Sequence, residues 1–197
     1  MTEDCLNGET TMKRAVLGAL TLGLLLTPIG ARAGGMTITS ADIQPGAAIS
    51  DEQVFKGFGC SGQNISPSLS WSGAPTAAKS LALTVYDPDA PTGSGWWHWI
   101  VFNIPPSTTG LPKNAGDPSS NLAPAGSVQS RTDFGTPGWG GPCPPQGDPP
   151  HHYIFTIYAL DVDHLDAGAD VSPAFIGFNL HFHTLDKASL TGLYGRK

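Results

Sequence analysis

Apolar side chains along this 197-residue chain gather into a few short segments separated by runs of glycine, proline and aspartate. Ser80–Tyr86, Trp97–Ile104 and His151–Leu160 are rich in β-branched and aromatic residues and read as strands. The latter two are apolar on both parities, with Trp97, Trp99 and Val101 on one and Ile100 and Phe102 on the other. That pattern predicts central strands covered on both faces. Ser172-Pro173 is a capping residue followed by proline at the first helical position, and it predicts a helix continuing through Phe175, Phe178, Phe182 and Leu185. A last strand is predicted at Ser189–Tyr194. The stretch 105–150 has little periodicity, and structureless stretches of that length inside a compact domain usually carry function. The fold expected is mainly β, an antiparallel two-sheet β-sandwich with one or two short helices.

Composition narrows this picture. Gly 25 and Pro 18 approach a low-complexity composition, but five Trp and eight Phe within alternating segments belong to a loop-rich globular domain. A formal net charge of −6 provides no basic footprint, so nucleic acid is not an expected partner. No repeat, charge block or linker divides residues 36–197, which read as one domain.

Residues 1–33 read as a signal peptide. Lys13 and Arg14 precede the apolar run Ala15–Leu26, and Ala31-Arg32-Ala33 offers a small-x-small cleavage site. The polar residues 1–11 lie upstream of a normal start, which makes Met12 the preferred initiator. The apolar run is too short to cross a hydrocarbon core of about 30 Å, so no integral membrane segment is expected in the mature chain. The expected location is periplasmic or secreted. Removing Cys5 with the leader leaves Cys60 and Cys143, an even pair that points to one disulfide in an oxidising compartment. Two free thiols or metal ligands are the alternatives, and no CxxC spacing supports the second.

Polar residues that interrupt the apolar faces at strand ends are the candidate chemistry. Leu81, Leu83 and Val85 lead by parity to Asp87, immediately before the turn Asp87-Pro88-Asp89-Ala90-Pro91. A half-buried acid there needs hydrogen-bond donors or a cation. His98 shares parity with Ile100 and Phe102, and His151 with Tyr153, Phe155 and Ile157. Converging at one rim, Asp87, His98 and His151 form a polar floor in an aromatic pocket, the arrangement that orients a small ligand. The loop 140–147 leads towards His151; its glycines allow backbone N–H groups close to an anion, while its prolines stiffen the wall. The plainer alternative is a turn-capping aspartate beside structurally satisfied histidines.

In these residues the chain resembles the phosphatidylethanolamine-binding protein family, in its bacterial Raf-kinase-inhibitor-like branch. The blocks that carry the resemblance are Asp87-Pro88-Asp89-Ala90-Pro91, Gly95-Trp96-Trp97-His98-Trp99, Gly141-Pro142-Cys143-Pro144-Pro145-Gln146-Gly147 and His151-His152-Tyr153-Ile154-Phe155, in that order. The resemblance implies a two-sheet sandwich, no cofactor, and a small pocket for anionic groups such as phosphate or a phospholipid headgroup. It places Asp87, Asp89, His98, Pro144, Pro145 and His151 in that pocket. His152 and Gln146 depart from the arginine and lysine frequent in eukaryotic members.

Partners expected on this reading are a small anionic or phosphorylated ligand and, as an alternative role, a periplasmic enzyme or kinase-type partner that the chain inhibits. Any self-association is expected to be a homodimer. A His/Asp-dependent hydrolase is the less favoured alternative, because no Gly-x-Ser-x-Gly elbow or His-Glu-x-x-His motif is present. Asp87, His98 and His151 would be the ligands if a metal served it; none is assigned. His181 and His183 lie two apart on the predicted helix and point about 200° apart, so they read as packing or capping residues, with His183 towards the core. With no Lys or Arg among the pocket residues, His98 and His151 beside Asp87 are expected to be partly protonated. Sulfate affinity should then rise as pH falls.

Overall fold

The computed structural model describes residues 34–197; the expected leader lies outside them. Its elements, in chain order, are β1 (Thr37–Thr39), β2 (Lys56–Gly57), β3 (Cys60–Ser61), β4 (Leu69–Ser72), β5 (Ser80–Asp87), β6 (Trp96–Ile104), β7 (Gly110–Leu111), β8 (Val128–Gln129), β9 (His151–Leu160), α1 (Pro173–His183) and β10 (Thr184–Tyr194), with one 3-10 turn at Pro118–Ser120. Five strands form the main antiparallel sheet in the order β10-β9-β5-β6-β8, three form a second sheet, β1-β4-β7, and β2-β3 is a separate hairpin. The expected mainly β fold is therefore present, with this small third sheet added. Within 105–150, the structure adds only β7, β8 and the 3-10 turn to a long irregular path.

The two faces of the main sheet bury different partners, which is why its central strands are apolar on both parities. Leu81, Leu83, Val85, Trp99, Phe155 and Ile157 pack with Ile38, Leu69, Trp71 and Leu111 of the second sheet. On the opposite face Ala82, Ile100, Phe102 and Leu160 meet Ile176 and Leu180 of α1. Two irregularities in β6 sort these side chains. Leu81 pairs with Ile104 but Leu83 with Val101, and Val85 pairs with Trp99 but Tyr86 with Trp97, so β6 carries one extra residue at each place. Asn103, at φ 57°, falls in the first bulge, and His98 is the extra residue in the second.

Helix α1 begins where the capping pattern places it, with the Ser172 side chain accepting the Phe175 N–H. Its core-facing stripe differs from the expected one. Pro173, Ile176 and Leu180 are buried, whereas Phe175, Phe178 and Phe182 are exposed. The helix is apolar nearly all round, so spacing alone cannot choose between two stripes that both satisfy helical periodicity. Leu185 lies on β10, which starts at Thr184 rather than Ser189 because it pairs with β9 along that strand's length. His183 bonds Asp161 through Nδ1 at 2.9 Å and closes the helix end instead of entering the core.

Candidate functional site

The rim of the first core is built where β5 ends. Asp87 continues the parity of Leu81, Leu83 and Val85, and its side chain is buried. Oδ1 accepts the backbone N–H groups of Asp89 and Ala90 at 2.9 and 3.1 Å, and Oδ2 accepts Nδ1–H of His151 at 2.8 Å. Asp87 therefore caps its turn and also fixes a histidine ring. His151 opens β9 on the parity of Tyr153 and Phe155, as expected, and its Nε2 lies 3.5 Å from an Asp148 carboxylate oxygen.

His98 reaches the same rim by a route that strand parity does not predict. By alternation it belongs with Ile100 and Phe102 on the helix side. The bulge instead turns it to the other face, where its ring lies 5.0 Å from Tyr153 and 6.5 Å from Trp139. Its Nδ1 is 2.6 Å from the Gly140 carbonyl oxygen, and Gly140 N–H donates back to the His98 carbonyl at 2.9 Å. A carbonyl only accepts, so Nδ1 carries the proton. Burial pushes the imidazole from 6.5 down to about 4, outweighing the Gly140 bond and the charge of Asp87. The expectation that both histidines are partly protonated is corrected for His98, whose ring is neutral.

The loop 140–147 also acts differently from the expectation. Gly140 N–H is used by His98, and Gly141 N–H donates to Asn64 Oδ1 at 2.8 Å, so these amides already have partners. Their glycines answer a packing demand instead. A Cβ on Gly140 would lie 2.3 Å from the Phe134 ring, and one on Gly141 would lie 2.0 Å from the Gln53 carbonyl oxygen. Cys60 and Cys143 are joined in a disulfide, with Cα atoms 6.0 Å apart, that ties the β2-β3 hairpin to this loop. Arg196 Nε donates to the Pro144 carbonyl at 2.6 Å, holding the wall from behind.

Together these residues enclose a cavity of about 220 Å³, lined by Asp87, His98, Pro144, Pro145 and His151 of the expected set, and by Cys143. Asp89 is not among the lining residues. His152 alternates with His151 on β9 and is exposed, and Asp89 pairs with it, accepting both its backbone N–H at 2.8 Å and Nδ1–H at 2.7 Å. Those bonds, led by the backbone N–H, hold the Asp89 carboxyl below the usual range despite some desolvation. Sequence reasoning also missed Tyr153, Trp96, Phe134 and Phe58 as lining residues. Phe134 is the centre of the aromatic wall, with ring centroids 4.5 Å from Phe55, 5.4 Å from Trp96 and 5.4 Å from His98. Tyr153, two residues after His151, carried a parity signal that pointed here. It is fully buried, its hydroxyl lies near the Asp87 carboxylate without reaching hydrogen-bond geometry, and burial together with the charge and proximity of Asp87 pushes the phenol up, so it stays protonated. Among the described residues, no group of three or more His, Cys, Asp or Glu side chains is arranged to hold a metal ion. Asp87 is turned onto a histidine Nδ1 rather than converging with both rings.

Residues 39–195 match the family model described as phosphatidylethanolamine-binding protein. The UPF0098 protein YbcL of Escherichia coli K12 is 47% identical over 171 residues, covering 87% of this chain and 93% of that protein. YbhB of the same organism is 46% identical over 159 residues, or 81% of this chain and 99% of that one. Among solved structures, E. coli YbcL, described as a member of the mammalian PEBP family, aligns with a TM-score of 0.81 at 48% identity, over 83% of this chain and 100% of its own. A homologue from Chlamydia trachomatis aligns with a TM-score of 0.69 at 34% identity, over 83% and 99% of the two chains. With the family model spanning most of the sequence and relatives near half identical over almost their whole length, the chain belongs to the phosphatidylethanolamine-binding protein family.

Proposed function

We propose that this protein is a binding protein whose cavity receives a small anionic group of the phosphate type. The Tyr153 hydroxyl carries the reading, because it is fully buried on the cavity wall without a partner. A buried donor of this kind costs free energy unless a ligand or water meets it. Beside it Asp87 accepts Nδ1–H of His151 at 2.8 Å and fixes that ring on the cavity wall, with Nε2 3.5 Å from an Asp148 carboxylate oxygen. A cavity of about 220 Å³ suits a headgroup rather than a whole lipid. The family and relatives bear no enzymatic names, and we read the site as one of binding without turnover.

Calorimetry with inorganic phosphate and with phosphoethanolamine tests this reading. Saturable binding without ester hydrolysis, weakened in His151→Ala, supports it; absence of binding, or hydrolysis of the ester, contradicts it. The leader pattern supports an exported protein whose working domain is 36–197. N-terminal sequencing should find the chain beginning at Gly34, and a product retaining Met1 or Met12 contradicts export.

A further inference from the structure

His98 differs from the other polar groups of the cavity in what it offers. Its Nδ1–H is committed to the Gly140 carbonyl, and that carbonyl residue is itself tied back to His98 through its own N–H. The ring is therefore locked in one orientation and one tautomer. Its remaining nitrogen, Nε2, is a bare lone pair on a residue that lines the cavity. Tyr153 lines the same wall, and its buried O–H lies near the Asp87 carboxylate without a partner in hydrogen-bond geometry. No Lys or Arg lines the cavity, and Asp87 already adds one negative charge to its floor.

An oxyanion without hydrogen would place a lone pair against that of Nε2. An oxyanion bearing one O–H would donate to Nε2 and turn its other oxygens towards the Tyr153 O–H. From this geometry we infer that the cavity is specific for the hydrogen-bearing, singly charged form of a phosphate monoester, and that His98 is the residue that reads the hydrogen. The inference rests on the anion-binding reading above and adds the protonation state of the ligand. The neutral state of the ring, pushed down to about 4 by burial, agrees with an acceptor role at any pH above that. Sulfate, expected from the sequence to bind more tightly as pH falls, lacks that hydrogen and is expected instead to bind weakly.

Methyl phosphate and methyl sulfate are the probes. At pH 5 both carry one negative charge and nearly the same shape, but only methyl phosphate has an O–H; its second pKa is about 6, so by pH 8 it has lost it. The other ionisable groups facing the site are Asp87 from β5, His151 and Tyr153 from β9, and Asp148 beside His151. Methyl sulfate keeps its charge throughout and reports those groups, so the ratio of the two affinities isolates the ligand's proton. Calorimetry on the purified protein should show methyl phosphate at least about tenfold tighter at pH 5, the fold-change expected from leaving a buried acceptor unpaired. The preference should vanish at pH 8. In His98→Gln, whose amide can donate as well as accept, it should fall to within about twofold at pH 5. Equal or tighter binding of methyl sulfate at pH 5, or a preference that persists at pH 8 or in His98→Gln, overturns the inference while leaving an anion-binding cavity in place. If neither ester binds at either pH, the anion-binding reading falls and the inference with it.

Discussion

Two aspartate-histidine pairs stand side by side at one rim of this molecule, drawn from the same turn and the same strand start. Asp87 meets His151 at 2.8 Å and Asp89 meets His152 at 2.7 Å. The separations are nearly equal, but the surroundings are not. Side-chain exposure is 4% for His151 and 3% for Asp87, against 55% and 41% for His152 and Asp89. Strand alternation puts one histidine inside and its neighbour outside, and each aspartate follows its partner. The contrast teaches that distance alone does not make a site. In the buried pair, desolvation must be offset by the bonds each group makes, so Asp87 takes three donors and its partner is held rigidly. The exposed pair is screened by water and contributes little.

The contrast is most directly broken at the carboxylates. Asp87→Ala should cost about 3–5 kcal/mol, because it strands a buried histidine and two backbone N–H groups. Asp89→Ala should cost no more than about 1 kcal/mol. Chemical denaturation of the two variants measures the difference, and equal losses would remove the basis of the comparison. Next in size is the response to acid. Because burial holds His98 at about 4 against an ordinary 6.5, the unfolded chain binds a proton that the folded chain refuses between these values. Stability is then complete above about 6.5 and declines by roughly 3 kcal/mol as pH falls to about 4. Asp89 behaves with the opposite placement: its carboxyl is held low, so its contribution disappears only below its ordinary 3.8. The decline between pH 6.5 and 4 should therefore flatten in His98→Gln and persist in Asp89→Ala. Smallest in stability is Tyr153→Phe, which removes an unpaired hydroxyl and should shift unfolding by less than about 1 kcal/mol. The same variant should weaken phosphate binding by about tenfold, which calorimetry reads separately.

Much of this arrangement was legible along the chain. Ser80–Tyr86 and His151–Leu160 coincide with β5 and β9 to within a residue, because strands covered on both faces are apolar throughout. Asp87 and His151 were also visible, each breaking an apolar face at its end. His98 was named for the right rim on the wrong parity. A bulge is a property of how β6 pairs with β5, and no periodicity within β6 alone reveals it. The Gly140 carbonyl that fixes the His98 tautomer was invisible for a similar reason, since backbone groups have no residue letter and the two lie 42 positions apart. The glycines of that loop were visible, but their use was misread: the amides are already bonded and the missing Cβ atoms make room for Phe134 and Gln53. Asp89 was grouped with Asp87 because both belong to one turn, although only the strand before it decides which side faces inward. The helix went astray where two apolar stripes compete, and packing against Ile100 and Phe102 favours Ile176 and Leu180 over the phenylalanines.

The central claim is that the buried pair forms the binding site and the exposed pair does not. It is tested by titrating inorganic phosphate into wild type, His151→Ala and His152→Ala under one set of conditions. Loss of a hydrogen bond to a charged group should weaken binding by about 1.5–3 kcal/mol in His151→Ala, more than tenfold, while His152→Ala should stay within about twofold of wild type. Binding that survives in His151→Ala, or that falls equally in His152→Ala, contradicts the account.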